Sequence, residues 1–147
     1  ILYRADEPDV NRWLNERLNR TEFMPFAPMT LAGYEDERFV MPAGGRDAAR
    51  YMTMTFPVTD RLKDESPGVV HVDHTARPQI LRREDNPGMW AILERFRELT
   101  GVPTVVNTSF NMHGEPIVCS PQDAVRAFVA GRLDRLILGP WWVARRR

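Results

Sequence analysis

Residues 102–118 read VPTVVNTSFNMHGEPIV, a stretch in which an apolar run passes straight into a dense polar cluster and out again. Val102, Val105 and Val106 are β-branched and unpunctuated, as in a strand covered on both faces. The segment therefore predicts a buried strand that delivers a polar turn. Asn107, Thr108, Ser109 and Asn111 set carboxamides and hydroxyls on that turn, where backbone amides are free to meet an anion. Gly114 permits a tight return ahead of Glu115 and Pro116. Open α/β sheets bind ligands at the carboxyl ends of strands, which makes this cluster a candidate site. An Asx/Ser turn that satisfies its own backbone is the competing reading, and Asn107-Thr108-Ser109 is also formally an N-glycosylation sequon.

The elements around this strand alternate. Val10, Trp13, Leu14 and Leu18 repeat at helical spacing after Pro8, with Asp6 as a possible cap. Pro25 and Pro28 exclude a helix from the next segment, and Phe23, Phe26, Met29 and Leu31 suggest an irregular stretch feeding a short strand. From Gly33 to Ala49 the pattern reads as a surface loop, and Gly44-Gly45-Arg46 lacks the flanking strand and helix of a phosphate loop. Tyr51 to Val58 alternates like a strand, ended by the polar run Asp60 to Pro67. Val69, Val70 and Val72 predict another strand, and Ile80 and Leu81 a further one. Asn86 and Pro87 start the clearest helix, with Met89, Ile92, Leu93, Phe96 and Leu99 on one face and Gly101 as its stop. Ser120 and Pro121 start the last helix, with Ala124, Ala127 and Phe128 as its buried stripe and Gly131 as its end. Leu136 to Leu138 is a strand closed by Gly139 and Pro140, and Trp141 to Val143 continue the pairing. The fold class is α/β, mixed α+β, with a twisted mixed sheet flanked by helices.

A chain of 147 residues has single-domain length and buries roughly two thirds of its unfolded surface. Its net charge is zero, which removes the bulk electrostatic case for nucleic acid. Lys63 is the sole lysine, so the cations are arginines, whose planar forks suit phosphates and carboxylates. The single cysteine, Cys119, excludes an internal disulfide and fits a reducing, cytoplasmic compartment. It precedes a helix start, but no catalytic partner lies near it in sequence. No apolar run approaches the ~20 residues of a membrane span. The chain has no initiating methionine and reads as part of something longer. His71, Asp73 and His74 sit at a strand end, yet His74 points away from the other two, so no metal site is expected there.

Three segments together resemble the C-terminal domain of the O-carbamoyltransferase family that includes the nodulation-factor and antibiotic carbamoyltransferases. They are WLNERLNRTEFMPFAP (13–28), VHVDHTARPQ (70–79) and TGVPTVVNTSFNMHGEPIVCSPQDA (100–124), and with their spacing they cover essentially the whole chain. The resemblance implies a Sua5/YrdC-like fold over residues 1–147, and a larger actin-like N-terminal domain that this sequence does not contain. It implies that the domain binds ATP, with Mg2+, and carbamoyl phosphate to form carbamoyl adenylate, which the N-terminal domain passes to an acceptor hydroxyl. Two polyanions then have to be brought together, work for guanidinium forks and oriented donors rather than a nucleophile.

Residue by residue, the resemblance implies that Arg20, Arg77 and Ser109 carry the chemistry, Arg20 and Arg77 as anion clamps and Ser109 on phosphate oxygens. Asn107, Thr108 and Asn111 complete the NTSFN element, and Thr75, Glu115 and Arg17 join the binding set. Asp73 either orients Arg77 or helps hold Mg2+. Many members carry lysine and arginine where this chain has Leu18 and Met24, and glycine where it has His74, so the 71–77 turn has to tolerate a side chain at positive φ. A homodimer is the other partner expected. The alternative from a different class is a non-catalytic nucleotide-binding or docking module within a larger protein.

Overall fold

A computed structural model describes residues 1–7, 9–18 and 26–145. Among them, one compact unit takes the residues within 1–11 and 23–108, and a second takes those within 12–22 and 109–147.

The first unit is built on a four-stranded sheet in the order β1-β6-β2-β5, from β1 (Leu2–Arg4), β2 (Ala27–Leu31), β5 (Gln79–Leu81) and β6 (Thr104–Asn107). β6 runs antiparallel to both neighbours, whereas β2 and β5 are parallel, so the sheet is mixed. Thr104, Val105 and Val106 are buried, as the β-branched run predicts. Val105 lies with Met29, Leu31, Leu81 and Leu93 in one apolar cluster, to which Met89, Trp90 and Phe96 of α4 (Pro87–Thr100) contribute. Ile80 points to the opposite face and joins a second cluster with Phe39, Phe56, Val58, Leu62 and Ala76. β2 is buried at every position and contains Pro28, which a middle strand ordinarily rejects. Leu31 donates to Pro103 on the β6 side and Ala32 to Leu81 on the β5 side, so by alternation the missing N–H of Pro28 faces β5. The β5 register begins only at Met29, and no ladder bond is lost there.

α4 starts at Asn86, whose side chain accepts from the Met89 amide, and ends at Gly101, at φ 80°, as the sequence predicts. Its buried stripe is narrower than expected, because Ile92 and Leu99 remain exposed. Four other readings change. The stretch from Gly33 to Ala49 is no plain surface loop: Arg38 and Phe39 are buried, and Gly45–Ala49 forms a short helix, α2. Tyr51 to Thr55 is not strand, since these side chains have no sheet to pack on; Thr53 instead closes on the Ala48 carbonyl, and only Phe56–Pro57 (β3) pairs, with Thr75–Ala76 (β4). The polar run after Val58 is a helix, α3 (Asp60–Glu65), capped by Thr59 and anchored by the single buried Leu62. Val69 to Val72 is not a strand either. Pro67–Val69 makes a 3-10 turn, because Gly68 donates to the Ala5 carbonyl, and a Cβ on Gly68 would lie 2.1 Å from Val10.

α1 (Val10–Arg17) buries Val10, Leu14 and then Leu18, the predicted stripe; Pro8 and residues 19–25 lie outside the described residues. The second unit also contains α5 (Pro121–Ala130) and the hairpin β7 (Arg135–Leu138) and β8 (Trp141–Ala144). Ser120 and Asp123 form a reciprocal capping box at the α5 start, and Ala124, Ala127 and Phe128 are its buried stripe, as expected.

Candidate functional site

In the first unit, β6 ends at Asn107, paired with Ala27 of β2. The Asn107 amide donates to the Gln79 side-chain oxygen at 2.7 Å, a bond that spans the middle strand to the first residue of β5. Ala27 carries only a methyl group, so no bulky side chain at that strand position separates the two carboxamides. Both line a cleft of about 490 Å³. Met29, Leu81 and Met89 supply apolar wall, and Tyr51, Arg50 and Asp85 supply the rest of the rim. Arg50 grips Asp85 through two nitrogens, at 3.2 and 2.5 Å, so that wall carries no net charge.

The turn from His71 to Arg77 belongs to the same unit. His74 occupies the left-handed region at φ 62°, so the turn holds a side chain at positive φ. Asp73 accepts from the Thr75 amide at 3.0 Å and from its hydroxyl at 2.7 Å, and these bonds hold its pKa below the usual carboxylate value. The Thr75 hydroxyl has one proton and gives it to Asp73, so the contact of 3.2 Å to His71 Nδ1 assigns the proton there to the imidazole. Burial lowers the His71 pKa, partly opposed by Asp73. Arg77 is exposed and donates to the Met52 carbonyl at 3.3 Å. Met52 follows Tyr51, and Arg77 stands two residues before Gln79, so this guanidinium is tied to the chain that forms the cleft rim. Among the described residues no cluster of three or more His, Cys, Asp or Glu side chains is placed to hold a metal ion.

In the second unit, the loop after Thr108 is tied down by its own side chains. Asn111 donates to the carbonyls of Met112 and Glu115 at 3.2 and 2.9 Å, which commits its amide and turns its oxygen to the Ser109 hydroxyl, 2.5 Å away. The Ser109 side chain is exposed but its proton is taken; it donates to a ligand only by rotating off Asn111. Gly114, at φ 78°, makes the return, and Glu115 accepts from Arg126 at 2.8 Å. Thr108, the last residue of the first unit, exchanges two backbone bonds with Ile1. Arg17 lies over the Trp13 ring at 3.9 Å and also bonds the Arg132 carbonyl. Cys119 is exposed and has Asp123 at 3.9 Å.

Of the anticipated residues, the structure brings Asn107 to the cleft and fixes Arg77 beside its rim, while Asp73 and Thr75 organise the turn. Ser109, Asn111 and Glu115 form one hydrogen-bonded loop, and Arg20 and Met24 lie outside the described residues. Gln79, Arg50 and Asp85 were not anticipated as site residues; Gln79 closes the VHVDHTARPQ segment, whereas the Arg50–Asp85 pair leaves no local signal across its 35-residue separation.

The sequence pattern of the carbamoyltransferase C-terminus family matches residues 1–145. The chain belongs to this family. It is 39% identical over 132 residues to an uncharacterized protein of Methanocaldococcus jannaschii, covering 90% of this chain and 25% of that protein. It is 37% identical over 127 residues to nodulation protein NolO of Bradyrhizobium diazoefficiens, covering 86% and 23%. To nodulation protein U of Rhizobium tropici it is 34% identical over 136 residues, covering 92% and 22%. The carbamoyltransferase domain described here thus spans about a quarter of the length of these relatives. No helix among its described residues is long and apolar enough to cross a membrane. Leu18 is buried to 3% exposure and is core in this chain.

Proposed function

We propose that this carbamoyltransferase domain binds ATP and carbamoyl phosphate and makes carbamoyl adenylate, which the remainder of a longer protein transfers to an acceptor hydroxyl. In balance, carbamoyl phosphate, ATP and one water give carbamoyl adenylate, phosphate and pyrophosphate. The observation that carries the reading is the family match over residues 1–145, which includes the NTSFN and HVDHTARPQ elements. The exposed Arg77 guanidinium, tied to the Met52 carbonyl, supports it. Arg77 would hold an anion in the first unit; within the second unit, the Ser109 hydroxyl would become free for a phosphate oxygen by turning from Asn111. Mg2+ would arrive with the nucleotide and screen its charge; Asp73 suits it as a ligand, since Thr75 engages one carboxylate oxygen and leaves the other outside those bonds.

Titration calorimetry with ATP and with carbamoyl phosphate, together with a pyrophosphate-release assay, tests this. Binding of both ligands with release of pyrophosphate supports it; no binding to well-folded protein refutes it. The second reading, a nucleotide-binding module without turnover, draws on Leu18 being core and the Ser109 proton being committed. Binding without pyrophosphate release would favour it.

A further inference from the structure

The β7–β8 hairpin is covered on one face and open elsewhere. Leu136 is buried on the covered face, its cross-strand partner Val143 is half-buried, and α5 packs against β7. Strand alternation turns Ile137 and its partner Trp142 to the other face, where they are 61% and 66% exposed, and Trp141 at the turn is 71% exposed. Neither strand has a second neighbour among the described residues, so both outer edges of the two-stranded sheet are unpaired. A lone hairpin is marginal in water, and open edges beside an apolar patch are features that proteins cover.

The cover has a definable chemistry. Arg135 is exposed at the start of β7 and Arg145 just after β8, and no carboxylate pairs with either among the described residues. Arg135 donates instead to the neighbouring Asp134 carbonyl at 2.8 Å. The complement of this face is therefore an apolar hollow bordered by carboxylates. Lipid fits poorly, because the open edges would carry unpaired N–H and C=O groups toward hydrocarbon. A protein segment can pair them by adding a strand. A second copy could do so only at the concentration at which free chains meet. The relatives point to a nearer source, since the part matched is 25%, 23% and 22% of their lengths and most of each protein lies outside it. A segment of the same chain acts at an effective concentration on the order of millimolar.

We infer that the outer face of the β7–β8 hairpin is a docking surface for the remainder of a longer carbamoyltransferase chain. That remainder seats Ile137 and Trp142 in an apolar hollow, sets carboxylates against Arg135 and Arg145, and adds a strand to an open edge. Tryptophan and arginine are also the side chains that most often dominate the energy of such contacts. The inference does not depend on whether the domain binds nucleotide.

Hydrogen exchange at the amides of residues 135–144, followed in this chain and in the uninterrupted product of its gene, tests the assignment. Exchange should slow about tenfold or more in the longer protein. Trp142→Lys, at an exposed position, should leave the melting temperature of this chain unchanged and abolish the added protection in the longer protein. Ile137→Thr keeps a β-branched side chain, so the hairpin itself is preserved, and it should reduce the added protection. Equal exchange in the two proteins, added protection that survives both substitutions, or a gene product that adds no residues to this chain would overturn the inference. Protection that rises with the concentration of this chain alone would overturn it in favour of a second copy, and protection gained on phosphatidylglycerol vesicles would do so in favour of lipid.

Discussion

Arg38 and Glu65 meet through a hydrogen bond of 2.5 Å, with the guanidinium withdrawn from solvent altogether. Arg38 also donates to the Tyr34 carbonyl at 3.2 Å and to Glu37 at 3.1 Å, while its Nε has no partner among the described residues. An arginine placed this way is tolerable only while its carboxylate stays ionised. Glu65→Gln should therefore destabilise the first unit by about 3 kcal/mol, read from urea unfolding, because it strands a buried charge. Unchanged stability would mean that Glu37 and the Tyr34 carbonyl suffice.

The same pair sets an acid limit. Burial alone would raise the Glu65 pKa, but bonds from Arg61 and Arg38 outweigh it and hold the group below its ordinary value of 4.5. The stability Glu65 contributes is thus fully present above that value and is lost as pH falls through the lower, folded-state pKa. Unfolding measured from pH 6 to about pH 3 should show a steeper acid-side loss for wild type than for Glu65→Gln.

Thr30 and Thr104 are fully buried cross-strand partners whose hydroxyls lie 3.0 Å apart. Thr30→Val alone should cost about 1–3 kcal/mol by orphaning the other hydroxyl, and adding Thr104→Val should recover most of that loss. A double-mutant cycle in chemical denaturation measures the coupling, and strictly additive losses would contradict it.

The α5 cap is a separate handle on the second unit. Ser120→Ala should cost about 1 kcal/mol in thermal unfolding, since it removes the acceptor for the Asp123 amide. The Ser120 hydroxyl, then the cap amides, keep Asp123 below its ordinary carboxylate pKa, so the capping box holds above pH 3.8 and fails as pH drops through the lower value.

His74 tests the strained turn. His74→Gly should stabilise the protein by up to about 1 kcal/mol, the steric cost of a side chain in the left-handed region less the extra freedom of glycine when unfolded. Destabilisation would show that the imidazole contributes contacts that outweigh the strain.

Ser109→Ala separates chemistry from structure. The residue is exposed and its hydroxyl bonds only within its loop, so melting should barely change, whereas pyrophosphate release should fall roughly a hundredfold if the hydroxyl serves the transferring phosphate. An unaltered rate removes Ser109 from the reaction.

The parts legible in the sequence carry their instructions locally. Asn86-Pro87 with Gly101, and Ser120-Pro121 with Asp123, mark helix ends through caps that need no distant partner. The β-branched run before Asn107 likewise announces its own burial. The misread stretches depend on partners far along the chain. Alternation from Tyr51 to Val58 is that of a strand, yet among the described residues no strand pairs with Thr53 or Met54, and the pattern goes unused there. Arg38 in a loop is ordinarily solvated; its burial is decided by Glu65, 27 residues away. Asn107 was identifiable because a carboxamide at a strand end is conspicuous, whereas its partnership with Gln79 arises only after β2 has come between them.

Ile1 and Thr108 exchange backbone bonds across 107 positions of sequence, and among the described residues β1 pairs with β6 alone. Both pairings of β6 join it to segments that precede it by many residues. The sheet cannot close until the residues through Asn107 have left the ribosome, and the loop entropy of that closure is met in one step. That same step brings Asn107 beside Gln79. Cleft and sheet are thus completed together, so a nascent chain should gain both abruptly, once the residues through Asn107 have emerged, rather than by degrees.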